Sequence, residues 1–271
     1  MYKEKISAWV DAHKDEMIED ICELCRINSE KMPEEEDMDM PFGPGAAECL
    51  DTALDMAEGY GFETCSYDGY VGCVDMNELP HQLDILAHLD VVPAGEGWTV
   101  TEPFKPVVKD GKLYGRGTAD DKGPAVAALY AMRAVKELGI PLKKNVRLIL
   151  GTDEECGSSD IKYYYSQEKE APMTFSPDAA YPLVNTEKGR FPGHFTAKFA
   201  CSDALPKLVS IQAGTKVNVV PGKAKAVVEG FTADVLETAA AETETETGIR
   251  FDFAVEGAVT TVTATGIGAH A

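Results

Sequence analysis

Between residues 83 and 179 the chain alternates between strand-type and helix-type apolar patterns, and each strand-type segment runs out into ionisable residues. Residues 83–89 are strand-like, with His88 at their end and Asp90 two residues beyond it. PAVAALYAMRAVKELG (124–139) has helical spacing, with Pro124 in its first turn and Gly139 as a stop. NVRLILGTDEE (145–155) is a continuous apolar strand ending in acids, and SSDIKYYYSQEKE (158–170) reads as a helix capped by Ser158. MTFSPDA (173–179) is a short strand ending in Asp178. Strand, helix, strand, helix, strand predicts an α/β fold whose sheet has parallel members.

The flanks extend this pattern. Ile6, Val10, Met17, Ile18 and Ile21 predict one amphipathic helix over 4–26. A second helix is expected over 45–60 and short strands near 62–67 and 70–76; the acidic, proline-bounded stretch 33–45 reads as an exposed loop. After Lys188 the style changes. FPGHFTAKFA (191–200), KAKAVVEG (223–230), IRFDFAVEG (249–257) and VTTVTATG (259–266) alternate, and 232–248 is a polar-faced helix with a solvated Thr/Glu end. This is an antiparallel α+β pattern, so two domains are expected, 1–187 and 188–271.

Composition narrows the function. The net charge of −21 repels phosphate backbones and anionic lipid, which argues against nucleic acid and membrane surfaces as partners. No apolar run reaches membrane-spanning length, and the charged N-terminus lacks an apolar signal core, so the cytoplasm is the expected compartment. The seven scattered cysteines fit reduced core residues. Cys22 and Cys25 form a C-x-x-C on a helical face with no second pair nearby, which reads as packing rather than a zinc or redox site.

Ligands in open α/β sheets bind outside the carboxyl ends of the strands. There this sequence places His88 and Asp90, Asp120 and Asp121 in the loop GRGTADDKG, Glu154 and Glu155, and Asp178. Carboxylates sharing a cleft raise one another's pKa or require a cation, so one or two divalent metals are implied. Neighbouring strand residues point opposite ways, so Glu154 and Glu155 face one site only if the chain turns there. Neither a P-loop nor a G-x-S-x-G occurs, and Cys156 has no evident His partner, so phosphate-binding and nucleophile readings have no support.

The ordered motifs H-L-D-V-V-P, G-R-G-T-A-D-D-K-G, T-D-E-E-C-G, S-P-D-A, T-K-V-N-V-V-P-G and G-I-G-A-H-A resemble the dinuclear zinc peptidases of the aminoacylase and carboxypeptidase-G type, closest to the bacterial PepV-type, carnosinase-like dipeptidases. The resemblance implies a zinc-peptidase catalytic domain with a mixed, partly parallel sheet, followed by part of an α+β lid. It implies a dipeptide substrate and two divalent ions, zinc first, with manganese or cobalt as alternatives. By motif, His88 and Asp178 bind one metal, Asp120 bridges both and Glu155 binds the second. Asp90 orients the His88 ring, and Glu154 is the general base toward a water bridging the metals. Asn218 contacts substrate and His270 stabilises the oxyanion, and the peptide bond after Asp120 is expected to be cis. The resemblance further implies that the parent chain continues beyond Ala271 and supplies a last metal ligand there. An N-acyl-amino-acid deacylase or desuccinylase would share the same ligands, and a non-catalytic metal-binding fragment is the alternative of another class.

Overall fold

The computed structural model describes residues 2–32, 40–186, 189, 191, 193–199, 202–214 and 219–270. The chain forms two compact units, residues 1–185 and 186–271.

The first unit opens with α1 (Tyr2–Ala12), α2 (Lys14–Arg26) and α3 (Pro44–Gly59), then β1 (Glu63–Tyr67), β2 (Val71–Asp75) and β3 (His81–His88). A hairpin of β4 (Val107–Lys109) and β5 (Lys112–Tyr114), with no counterpart among the expected elements, precedes α4 (Lys122–Glu137). The unit continues with β6 (Asn145–Gly151), α5 (Ser159–Gln167) and β7 (Met173–Phe175). The single helix expected over 4–26 is broken at His13. The His13 ring stacks on Trp9 with ring centres 3.9 Å apart, and the Trp9 indole N–H donates to Glu137 at the end of α4 at 2.8 Å. α1 is thereby tied to α4. Part of the loop expected over 33–45, residues 33–39, lies outside the described residues.

The main sheet has the order β1-β2-β6-β3-β7. β1, β2 and β6 pair antiparallel, whereas β3 runs parallel to both β6 and β7. Side chains alternate across β6. Leu148 and Leu150 face a core with Leu50 and Leu54 of α3 and Leu129 and Met132 of α4. Ile149 joins Val71, Cys73 and Tyr164 of α5 in a second core. A strand covered on both faces must be apolar throughout, which is why 145–151 reads as one continuous run. Burying a side chain such as Leu148 stabilises the fold by about 1.5–3 kcal/mol.

Cys22 and Cys25 are buried, unbridged residues of α2. Ser158 does not cap α5: it sits at φ 53° and makes no capping bond. The Ser159 N–H is bound instead by the Asp153 carboxylate at 3.1 Å.

The second unit contains β8 (Lys207–Ala213), β9 (Val219–Val220), β10 (Lys223–Glu229), α6 (Ala233–Thr247), β11 (Arg250–Glu256), β12 (Val259–Thr265) and β13 (Ala269–His270). Its antiparallel sheet has the order β11-β12-β10-β8, and β13 pairs with β9. The strand expected over 191–200 does not form among the described residues; Phe191, Phe195 and Phe199 are 95, 94 and 87% exposed. Alternation creates a strand only where one face has something to pack against. The Thr/Glu end of α6 is exposed, and the hydroxyls of Thr243, Thr245 and Thr247 each bond the carbonyl four residues back. Among the described residues no helix is long and apolar enough to cross a membrane.

Candidate active site

Strand register assembles the site. His88 pairs with Gly151 across the parallel β3–β6 ladder, and Ile85 pairs with Phe175 across β3–β7. Glu154 lies three residues past Gly151, and Asp178 three past Phe175, as His88 lies three past Ile85. Parallel strands present their carboxyl ends at one edge, so residues far apart in sequence arrive together. β7 ends at Phe175, so Asp178 stands in the following loop and not at the end of the expected longer strand. Beyond β6 the chain turns through a single 3-10 turn, Glu154–Cys156.

The imidazole of His88 is the buried centre, its side chain 4% exposed. Its Nδ1 faces the Asp90 carbonyl at 3.0 Å and the Asp90 carboxylate at 3.3 Å. Its Nε2 is thereby turned to Asp120 Oδ1 at 3.1 Å, Asp178 Oδ2 at 3.5 Å and Glu154 Oε2 at 4.0 Å. Ligand atoms of His88, Asp120 and Asp178 all lie within 4.8 Å of one another. Glu155 is not part of this three-residue cluster; burial raises its carboxyl pKa, and Asp120 and Glu154 add to the effect against His88. The peptide bond between Asp120 and Asp121 is cis.

The electrostatics describe a crowded anionic cleft. Burial opposes protonation of His88, but Asp120, Asp178 and Asp90 outweigh it and hold the ring's pKa far above its usual range. Burial raises the Glu154 carboxyl, and the charges of Asp90, Asp178 and Asp120 add to the effect. Asp121 is pushed up to about 7 by burial, with His88 opposing. This donor set fits a divalent cation: one imidazole nitrogen and carboxylate oxygens converge on one point and repel each other without positive charge there.

Further residues hold the cluster. Asp121 Oδ2 accepts the His88 backbone N–H at 3.1 Å. Lys122 is fully buried, and its Nζ donates to the carbonyls of Leu24 and Ile27, both at 2.9 Å. It thus adds a donor at the end of α2, where the Leu24 carbonyl also accepts the Ile27 N–H at 3.2 Å. Ser29 Oγ donates to the Leu89 carbonyl at 2.6 Å, bracing the segment that carries Asp90. The supporting roles of Lys122, Ser29, Asp153 and Asp160 have no signal in the sequence, because their partners are backbone groups or distant side chains. Of the two remaining expected site residues, Asn218 lies outside the described residues, and His270 is placed only as backbone, paired with Val219.

An α/β sheet whose parallel strands converge on a histidine–carboxylate cluster of metal-ligand type defines a candidate metallohydrolase. The chain belongs to the peptidase family M20/M25/M40, whose sequence model matches residues 85–267. It is 40% identical over 219 residues to YtjP of Bacillus subtilis (strain 168), a protein provisionally named a dipeptidase, covering 80% of this chain and 47% of that protein. It is 35% identical to the Beta-Ala-Xaa dipeptidase of Lactobacillus delbrueckii subsp. lactis, covering 96% of this chain and 56% of the relative. The crystal structure of human carnosine dipeptidase 1 superposes with a TM-score of 0.55 at 26% identity, covering 64% of this chain and 40% of that one. The chain therefore spans about half the length of the curated relatives it matches.

Proposed function

We propose that the protein to which these residues belong is a cytoplasmic, metal-dependent dipeptidase. The observation that carries this reading is the convergence of His88, Asp120 and Asp178 within 4.8 Å, with Glu154 at the cluster's edge 4.0 Å from His88 Nε2. The dipeptidase names of two relatives support the substrate class. Seven cysteines, scattered and odd in number, support a reducing compartment.

His88 and Asp178 would hold one divalent ion, Asp120 would bridge to a second, and Glu155 would complete the second site. Zinc is the first choice for this donor set, with manganese or cobalt as alternatives. When bound, such ions polarise the scissile carbonyl and acidify water. The chain's own residues do the rest. Asp90 fixes the His88 ring through Nδ1 and so aims Nε2 at the cluster. Glu154 takes the proton of the attacking water and returns it to the leaving amine. Burial and the neighbouring carboxylates raise its pKa, the direction that favours a group which must both take and return a proton. Asn218 would contact the substrate and His270 would donate to the oxyanion.

The test is a panel of dipeptides and N-acyl amino acids presented to the full-length protein, before and after chelation. Hydrolysis of dipeptides that chelation abolishes and zinc, manganese or cobalt restores supports the reading. Turnover restricted to acylated amino acids would replace it with a deacylase, and no turnover with any metal would overturn it.

A further inference from the structure

Four consecutive backbone N–H groups leave the end of β6 and are taken by two buried carboxylates. Asp160 Oδ2 accepts those of Thr152 at 2.7 Å and Asp153 at 2.9 Å. Asp90 accepts those of Glu154 at 3.1 Å and Glu155 at 3.0 Å through its two oxygens. The other Asp160 oxygen accepts the Ile161 N–H at 2.7 Å, so one side chain joins the acid-bearing turn to the first turn of α5. Asp160 is fully buried. The strand end is shaped around it: a Cβ on Gly151 would lie 2.5 Å from Asp160 Oδ2. Asp153, itself 1% exposed, closes the same turn by binding Lys31 Nζ at 2.7 Å and the Ser159 N–H.

We infer that Asp160 is a positioning residue for the acid pair Glu154–Glu155, an inference that rests on the metallohydrolase reading for its catalytic consequence and on geometry for the rest. The turn must bring two adjacent carboxylates to one site, which a strand cannot do because it points neighbouring side chains to opposite faces. The amides of Thr152 and Asp153 are buried where water does not replace a lost partner, so their acceptor decides the start of the turn. A carboxylate suits the position because it accepts on both oxygens and makes the stronger, charge-assisted bonds. An asparagine there keeps one oxygen for Thr152 and Asp153, but turns an NH2 toward the Ile161 N–H. Alanine removes all three acceptor contacts.

The experiment compares Asp160→Ala and Asp160→Asn in the full-length protein by three readouts. The first is backbone hydrogen exchange, resolved by fragmentation mass spectrometry. In Asp160→Ala the amides of Thr152 and Asp153 are expected to exchange about 100-fold faster while those of Leu148–Leu150 hold, which is a local opening. The second is cobalt affinity followed by absorption, expected to fall about 10–100-fold as for other residues that orient metal ligands. The third is dipeptide turnover, expected to lose kcat with KM nearly unchanged. Asp160→Asn should lie between wild type and Asp160→Ala in all three, and it carries the test if Asp160→Ala fails to fold. Wild-type exchange at Thr152 and Asp153 in both variants would overturn the inference. So would equal acceleration at Leu148–Leu150, which would mark Asp160 as a general stabiliser. Exchange needs neither metal nor substrate, so failure of the dipeptidase reading shows separately, as a wild-type protein that binds no cobalt and turns over no dipeptide.

Discussion

The carboxylate of Asp90 accepts the backbone N–H of Glu154 at 3.1 Å, a bond between residues 64 apart in sequence. It joins the end of β3 to the turn after β6. Because the same carboxylate stands 3.3 Å from His88 Nδ1, ring orientation and turn geometry share one anchor. Replacing Asp90 by alanine should therefore loosen both. The expected result is metal affinity lower by about 10–100-fold, read by cobalt titration. Asp90→Asn, which keeps one oxygen, should fall less. Equal affinity in all three proteins would show that the shared anchor is immaterial.

Glu154 and Glu155 should fail in different ways. Glu154→Gln is expected to retain metal and lose about 10²–10⁴-fold in kcat, the range of general acid–base groups. Glu155→Gln should lose the second metal first. Elemental analysis beside dipeptide turnover distinguishes them, and wild-type turnover in Glu154→Gln would overturn the proposal that it acts as the base.

The cysteines should separate by reactivity. Cys65 is exposed and directly opposite Cys73 across β1–β2, and a hydrogen bond from Cys73, with help from Arg147, brings its thiol down to about 7. Burial pushes Cys25 up to about 12. The thiolate is the reacting form, so alkylation of Cys65 should rise to half its maximum near pH 7, below the ~8.5 of an ordinary thiol. Cys25 should stay unmodified throughout that range. Mass spectrometry after a short iodoacetamide pulse at several pH values checks both, and a Cys65 midpoint above 8 would contradict the environment described.

Gly123 lies where α4 begins, and a Cβ there would stand 2.1 Å from the Thr118 carbonyl oxygen. That oxygen is backbone and has no free rotation to escape. Gly123→Ala should displace the loop bearing Asp120 and destabilise the fold by about 1–3 kcal/mol, typical of overpacking. Thermal unfolding measures the loss, and an unchanged melting temperature would show that the loop yields without cost.

Much was legible without the structure, for reasons that are local. Apart from the β4–β5 hairpin, hydrophobic periods disclosed the order of strands and helices from 83 to 175, because a strand covered on both faces and a half-buried helix need different patterns. The identity of the residues after each strand, His88, Asp90, Glu154, Glu155 and Asp178, was plain in the same way. The one departure from local pattern in the first helical segment is the break at His13, where the chain is also tied to α4 through the Trp9–Glu137 bond.

Tertiary structure decided what those residues do to one another. Parallel pairing of β3 with β6 and β7 set His88 opposite Gly151 and brought Asp178 within 3.5 Å of its ring. Register is a property of two strands and their shared cores, so no single segment contains it. The same holds for Asp160, Asp153, Lys31 and Lys122. Each is unremarkable in sequence and buried or bonded only because the fold delivers backbone groups from elsewhere to its side chain. Local pattern specified which groups stand at the strand ends. Long-range packing specified their distances, their burial and hence their charges, because desolvation and Coulomb interaction depend on neighbours that only the folded chain supplies.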